Sequence, residues 1–144
     1  SALEDRYAKD KDYILGYVPD NDGDRGNFVY IDEDSHKARI LHAQEVFTLI
    51  TLIEVAHQAL MGEEKIGIAA NGPTSTRIDD LVANFGATVF RADIGEANVV
   101  ALAEKLRSNG YSVHVCGEGS NGGIITDPAK VRDPMNSIMS IAKL

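Results

Sequence analysis

"KIGIAANGPTSTRIDDLVANFGATVFRAD", residues Lys65 to Asp93, changes its hydrophobic period twice within 29 residues. "KIGIAA" is a short apolar run, the pattern of a buried strand. "NGPTSTRIDDLVANFG" opens with turn residues and continues as a helix, with Ser75 or Thr76 placed to cap it and Gly86 to end it. "ATVFRAD" returns to a strand. The unit is strand, helix, strand, and it is followed by a helix in "IGEANVVALAEKLRSNG" and a strand in "YSVHVC". "IITD" predicts one more short strand, and "DPMNSIMSIAKL" a final helix running off the end of the chain. Strands alternating with helices imply βαβ units, hence an α/β fold with a mixed, largely parallel sheet and helices on both faces.

Upstream, "SALEDRYAKDKD" reads as a short helix or a frayed start. "YILGYV" (Tyr13 to Val18) reads as a buried strand, "NFVYID" as the next strand, and "EDSHKAR" as a charged turn. From His42 to Met61 the apolar residues Val46, Ile50, Ile53 and Leu60 follow helical spacing, and Gly62 stops the helix. The abrupt start and the helix at the end are expected of a piece of a longer polypeptide.

The chain has 144 residues, 44% hydrophobic and 25% charged, with a formal net charge of -8. That is the profile of one globular domain. The acidic balance argues against nucleic acid and against an anionic membrane surface as partners. Cys116 is the single cysteine, so no internal disulfide forms and a reducing compartment is expected. The longest apolar-rich stretch, Val46 to Met61, is broken by Thr51, Glu54, His57 and Gln58, too polar to cross a bilayer. These features predict a cytoplasmic protein.

"VPDNDGDRGNF", Val18 to Phe28, sets Asp20, Asp22 and Asp24 at alternate positions of a loop. Unpartnered, three such carboxylates repel one another and raise at least one pKa; a bound cation removes the conflict. An EF-hand needs Gly at its sixth position and Glu at its twelfth, where this chain has Arg25 and Ile31. Three oxygen ligands from one tight loop instead suit Mg²⁺, which recruits further ligands from a substrate phosphate. Arg25 offers that phosphate a planar donor fork. The alternative is a polar turn whose aspartates cap local backbone.

"GEGSNG", Gly117 to Gly122, satisfies G-x-G-x-x-G after a strand. A dinucleotide fingerprint must open a helix and be followed by an acidic residue about 20 positions on. Strand and turn follow here, and Glu118 would face a pyrophosphate with like charge, so that reading is rejected. Glu118, Ser120 and Asn121 instead place acceptors and donors at the spacing of sugar hydroxyls. The alternative is a glycine-rich turn with incidental polar groups.

Taken together, these segments resemble the α-D-phosphohexomutases, the phosphoglucomutase and phosphomannomutase superfamily. "DNDGDR" matches that family's D-x-D-x-D-R metal loop, and "GEGSNGG" resembles its sugar-binding loop. The segment "ANGPTSTRIDDLVANFGATVFRADIGEANVVAL" resembles its connecting region, with a glycine-centred loop at Gly95. "RDPMNSIMSIAKL" resembles its R-D-G-x-x-A helix, with Pro134 where Gly is usual. The resemblance covers the chain from Tyr13 onward. It implies that residues 1–26 are the tail of the second of four domains, ending in the metal loop, and that 27–144 are the third, sugar-binding domain. The phosphoserine-bearing first domain and the phosphate-binding fourth have no counterpart here.

By the same resemblance Asp20, Asp22 and Asp24 hold Mg²⁺ and Arg25 lies beside the transferring phosphoryl group. Glu118, Ser120, Asn121 and the Gly95 loop face the sugar. The full-length parent would interconvert hexose 1-phosphate and 6-phosphate through a 1,6-bisphosphate intermediate, while this portion alone would be inactive. Asn121 and Gly122 depart from the family's common Gly and His, and Asp93 and Glu96 flank Gly95 where some members carry a basic residue. Which hexose is preferred therefore stays open. The rival reading is a stand-alone, non-catalytic α/β module binding a divalent cation or sugar phosphate. His36, His42, His57 and His114 lie too far apart in the chain for a ligand set and read as solvated or packed. Cys116 reads as a core residue, and Asp79 and Asp80 as first-turn acids complementing a helix dipole.

Overall fold

A computed structural model describes residues 1–142. Helix α1 (Ala2–Lys9) precedes three antiparallel strands, β1 (Leu15–Pro19), β2 (Gly26–Ile31) and β3 (Ala38–Leu41), in the order β1-β2-β3. Helix α2 (Ala43–Leu60) leads to β4 (Ile66–Asn71), α3 (Arg77–Ala83), β5 (Thr88–Ala92), α4 (Glu96–Ser108), β6 (Ser112–Glu118), β7 (Gly123–Thr126) and α5 (Pro134–Ile141). The second sheet has the order β5-β4-β6-β7. β4 pairs in parallel with β5 and β6, and β7 closes the edge antiparallel to β6. This is the mixed, largely parallel sheet expected from the alternation of elements.

β4 is central, and all six of its residues are buried, which is why it reads as an unbroken apolar run. Ile66, Ile68 and Ala70 join one core with Phe47, Ile50 and Val55 of α2, Ile78 and Val82 of α3, and Ile141 of α5. Ala69 points to the other core, formed with Ala103 and Leu106 of α4, Val113, Cys116 and Ile125. Helices therefore cover both faces. An irregularity in the β4–β6 register lets Val113 and Cys116 share a face although they are three residues apart.

Several expectations change. The charged turn is shorter than expected, because its last two residues, Ala38 and Arg39, begin the short, half-exposed edge strand β3. β1, expected to be buried, leaves Leu15, Val18 and Pro19 exposed because it lies at the other edge of the small sheet. Leu60 does not belong to the buried face of α2 and is 86% exposed, because the helix turns Val46, Phe47, Ile50, Thr51, Glu54, Val55 and Gln58 inward. Two of those polar groups find partners: Gln58 donates to the Ser112 carbonyl and hydroxyl, and Glu54 accepts from the Ser140 hydroxyl at 2.8 Å. Thr76 sits at the N-cap of α3 without a side-chain bond, while the Ser75 hydroxyl accepts from the Arg77 N–H. The glycine-rich stretch is a tight β-hairpin turn, Gly119 to Gly122, between β6 and β7. The last helix is described to Ile141, and the expected continuation over residues 143–144 lies outside the described residues. The boundary expected between residues 26 and 27 falls at the first pair of the β1–β2 hairpin, Pro19 with Gly26.

Candidate functional site

The β1–β2 turn brings the three aspartates together. Asp20 N–H donates to the Arg25 carbonyl at 2.9 Å and Gly23 N–H to the Asp20 carbonyl at 3.2 Å. Gly23 has φ 74°, a left-handed conformation that favours glycine, and nothing crowds it. One carboxylate oxygen from each of Asp20, Asp22 and Asp24 lies within 4.8 Å of the others. Arg25 folds onto this cluster: its Nε donates to Asp20 Oδ2 at 3.0 Å and Asp24 Oδ1 at 3.3 Å. Partial burial pushes the Asp20 carboxyl up, but the Arg25 backbone and side-chain bonds outweigh it and hold the group below its ordinary range. Hard oxygen donors at this spacing fit a small divalent cation such as Mg²⁺.

The second part stands at the carboxyl ends of the parallel strands, where ligands of open α/β sheets bind. Glu118 ends β6 and is only 3% exposed. Its Oε1 accepts from Asn71 Nδ2 at 3.1 Å and from Gly95 N–H at 2.8 Å. Its Oε2 accepts from Asn121 Nδ2 at 2.9 Å and from Arg132 Nη2 at 2.6 Å. Burial pushes the Glu118 carboxyl up, and the bonds from Asn121, Gly95 and Asn71 with the Arg132 charge pull it below the usual carboxylate range. Gly95 has φ 124°, which presents its N–H to Glu118 as the N-cap of α4. Ser120 and Asn121 are exposed at the hairpin tip, and Asn71 Nδ2 also donates to the Ser120 hydroxyl at 3.0 Å.

Arg132, Asn71 and Thr74 were not singled out by their sequence context. Arg132 spends each guanidinium nitrogen on a different element: Nη1 to Asp24 at 3.0 Å, Nε to Glu96 at 3.0 Å, and Nη2 to Glu118. Gly123 makes room for it, since a Cβ there would sit 2.7 Å from the guanidinium carbon. Asn71 is fully buried, and its Oδ1 accepts from Thr74 Oγ1, which in turn accepts from Gly119 N–H at 2.9 Å. The polar ending of an otherwise apolar strand, "IGIAAN", was the available signal for Asn71. A cavity of about 230 Å³ opens beside the aspartate loop, lined by Asp20, Arg25, Asn27, Leu41, Asn121 and Gly122. The two loops thus face one space. His36, His42, His57 and His114 join no metal-ligand group among the described residues.

The buried Glu118 at the carboxyl ends of the parallel strands and the acidic β1–β2 turn therefore stand side by side. Residues 46–144 match the family described as phosphoglucomutase/phosphomannomutase, alpha/beta/alpha domain III, and the chain belongs to that family. The aspartate loop lies upstream of the matched residues. The fold is similar to a phosphoglucomutase/phosphomannomutase family protein from Burkholderia thailandensis, with TM-score 0.66 and 21% identity over 99% of this chain and 30% of that one. It is also similar to N-acetylphosphoglucosamine mutase of Aspergillus fumigatus, solved in complex with glucose 1,6-bisphosphate, with TM-score 0.54 and 18% identity over 88% of this chain and 25% of that one. The chain therefore spans under a third of the length of these structures. No curated protein matches it. Among the described residues no helix is long and apolar enough to cross a membrane.

Proposed function

We propose that the chain is the metal- and sugar-binding portion of a phosphohexomutase that interconverts hexose 1-phosphates and 6-phosphates through a phosphoserine enzyme and a 1,6-bisphosphate. The observation that carries this reading is the meeting of the aspartate loop and the Glu118 hairpin at one cavity, joined by Arg132. The complex of the Aspergillus enzyme with glucose 1,6-bisphosphate supports the substrate class.

Asp20, Asp22 and Asp24 would hold Mg²⁺, which when bound neutralises charge on a phosphoryl group in transfer. Arg25, turned onto the loop and lining the cavity, supplies a donor fork for the same phosphate. Glu118 accepts sugar hydroxyls. Of its four donors the Asn121 amide is the exposed one, so a hydroxyl reaching Oε2 replaces that amide. Ser120 and the Gly95 loop complete the sugar side. Because the sugar must bind in two orientations, short hydroxyl-directed groups serve better than a rigid phosphate clamp here. The phosphoserine, and the second phosphate contact, come from the other domains of the polypeptide, and a cytoplasmic setting fits such substrates.

The test uses the 144-residue chain with Mn²⁺ and with glucose 1-phosphate, followed by amide signals. Paramagnetic broadening centred on Asp20 to Gly26, with glucose 1-phosphate shifting Gly95 and Gly119 to Gly122, supports the reading. Broadening elsewhere, or an Asp20/Asp22/Asp24→Asn triple variant that responds as the parent does, overturns the metal assignment. Turnover of glucose 1-phosphate by the chain alone overturns its dependence on other domains.

A further inference from the structure

Two guanidiniums, Arg25 and Arg132, serve four carboxylates: Asp20, Asp24, Glu96 and Glu118. Their tasks differ. Among the described residues Arg25 bonds within its own loop, whereas Arg132 joins the β1–β2 turn, the start of α4 and the end of β6. It is 14% exposed, and a planar fork with all three nitrogens engaged has little rotational freedom left. Asp24 is held on both oxygens, Oδ1 by Arg25 and Oδ2 by Arg132. A cation that recruits Asp24 competes with these bonds for the charge on its oxygens.

We infer that Arg132 is a positioning residue that couples the aspartate loop to the Glu118 hairpin, so that a cation at one changes the hydrogen bonding of the other. This rests on the reading of the two loops as cation and sugar sites. A divalent cation draws Asp24 toward itself and repels the guanidinium. Arg132 then leans more fully on Glu118 and Glu96, the two carboxylates it keeps. Glu118 is the hydrogen-bond hub of the sugar side, so the change reaches Gly95 N–H and the Asn121 amide through shared oxygens. Such coupling is reciprocal: a hexose phosphate that reorganises Glu118 alters cation affinity by the same factor.

The experiment is a Mg²⁺ titration of the labelled chain, read at three places: amides of Asp20 to Gly26, amides of Gly95 and Gly119 to Gly122, and the Arg132 Nε–H. In the parent all three respond with one apparent affinity. In Arg132→Gln the first set still shifts, while the second loses its response although the hairpin stays folded. Gly123→Ala serves as the second variant, since its Cβ displaces the guanidinium without removing the charge; it too uncouples the sets. In the parent, glucose 1-phosphate tightens or weakens Mg²⁺ binding by roughly fivefold or more, and both variants abolish that factor. A hairpin response that survives in both variants, or a parent response confined to Asp20 to Gly26, overturns the coupling and leaves the cation assignment standing. Silence of Asp20 to Gly26 in the parent overturns the cation assignment and the coupling with it.

Discussion

Arg132 Nη2 donates to Glu118 Oε2 at 2.6 Å, and the same guanidinium reaches Asp24, 108 residues away in the chain. Glu118→Gln keeps the shape but removes the charge that Arg132 faces inside the fold. The guanidinium retains Asp24 and Glu96, so the loss stays below that of a fully orphaned buried ion. We expect a cost of about 1–3 kcal/mol in urea unfolding, with the unfolding slope unchanged. Equal stability of variant and parent would show that the pair adds nothing beyond shape.

Acid should weaken the fold through the same group. The folded Glu118 carboxyl lies below its ordinary value, so the unfolded chain binds its proton more readily. Its contribution is complete above the ordinary glutamate pKa of about 4.3 and is lost as pH falls from there through the depressed folded value. Asp20 acts in the same direction. The urea midpoint measured between neutral and acid pH should fall more steeply for the parent than for Glu118→Gln. Parallel curves would refute the assignment.

Cys116 should be inert. It is buried in the core beneath α4, and burial pushes its thiol up to about 11. A thiol-specific disulfide reagent at neutral pH should label the native chain only as fast as it opens, and the urea-unfolded chain at once. Because the folded thiol holds its proton where the unfolded one releases it, stability should fall as pH rises from about 8.5 towards the folded value. Cys116→Ser would flatten that alkaline limb. Prompt labelling of the native chain would contradict the burial.

The inward face of α2 is open to a paired test. Ile50 is fully buried, whereas Leu60 is 86% exposed. Ile50→Ala should cost about 2–5 kcal/mol, and Leu60→Ala should stay within about 0.5 kcal/mol of the parent. Comparable losses at both positions would mean that α2 packs with the apolar register its sequence alone suggests.

The alternation of short apolar runs with helical stretches determined the class of fold, because hydrophobic period is set by local backbone geometry. "IGIAAN", for instance, can bury every side chain only as a central strand covered on both faces. The aspartate loop was legible for a similar reason: three carboxylates at alternate positions meet in any tight turn. Tertiary structure decided what depends on partners distant in the chain. Ala38–Leu41 became a strand only because Phe28 to Ile31 offered it an edge. Thr51, Glu54 and Gln58, read from sequence as polar interruptions of α2, are buried, and Ser112 and Ser140 stand opposite Gln58 and Glu54. The role of Arg132 was invisible for the same reason. Its meaning lies in Asp24, Glu96 and Glu118, which only the packing of α4, β6 and the β1–β2 hairpin brings within reach of one guanidinium.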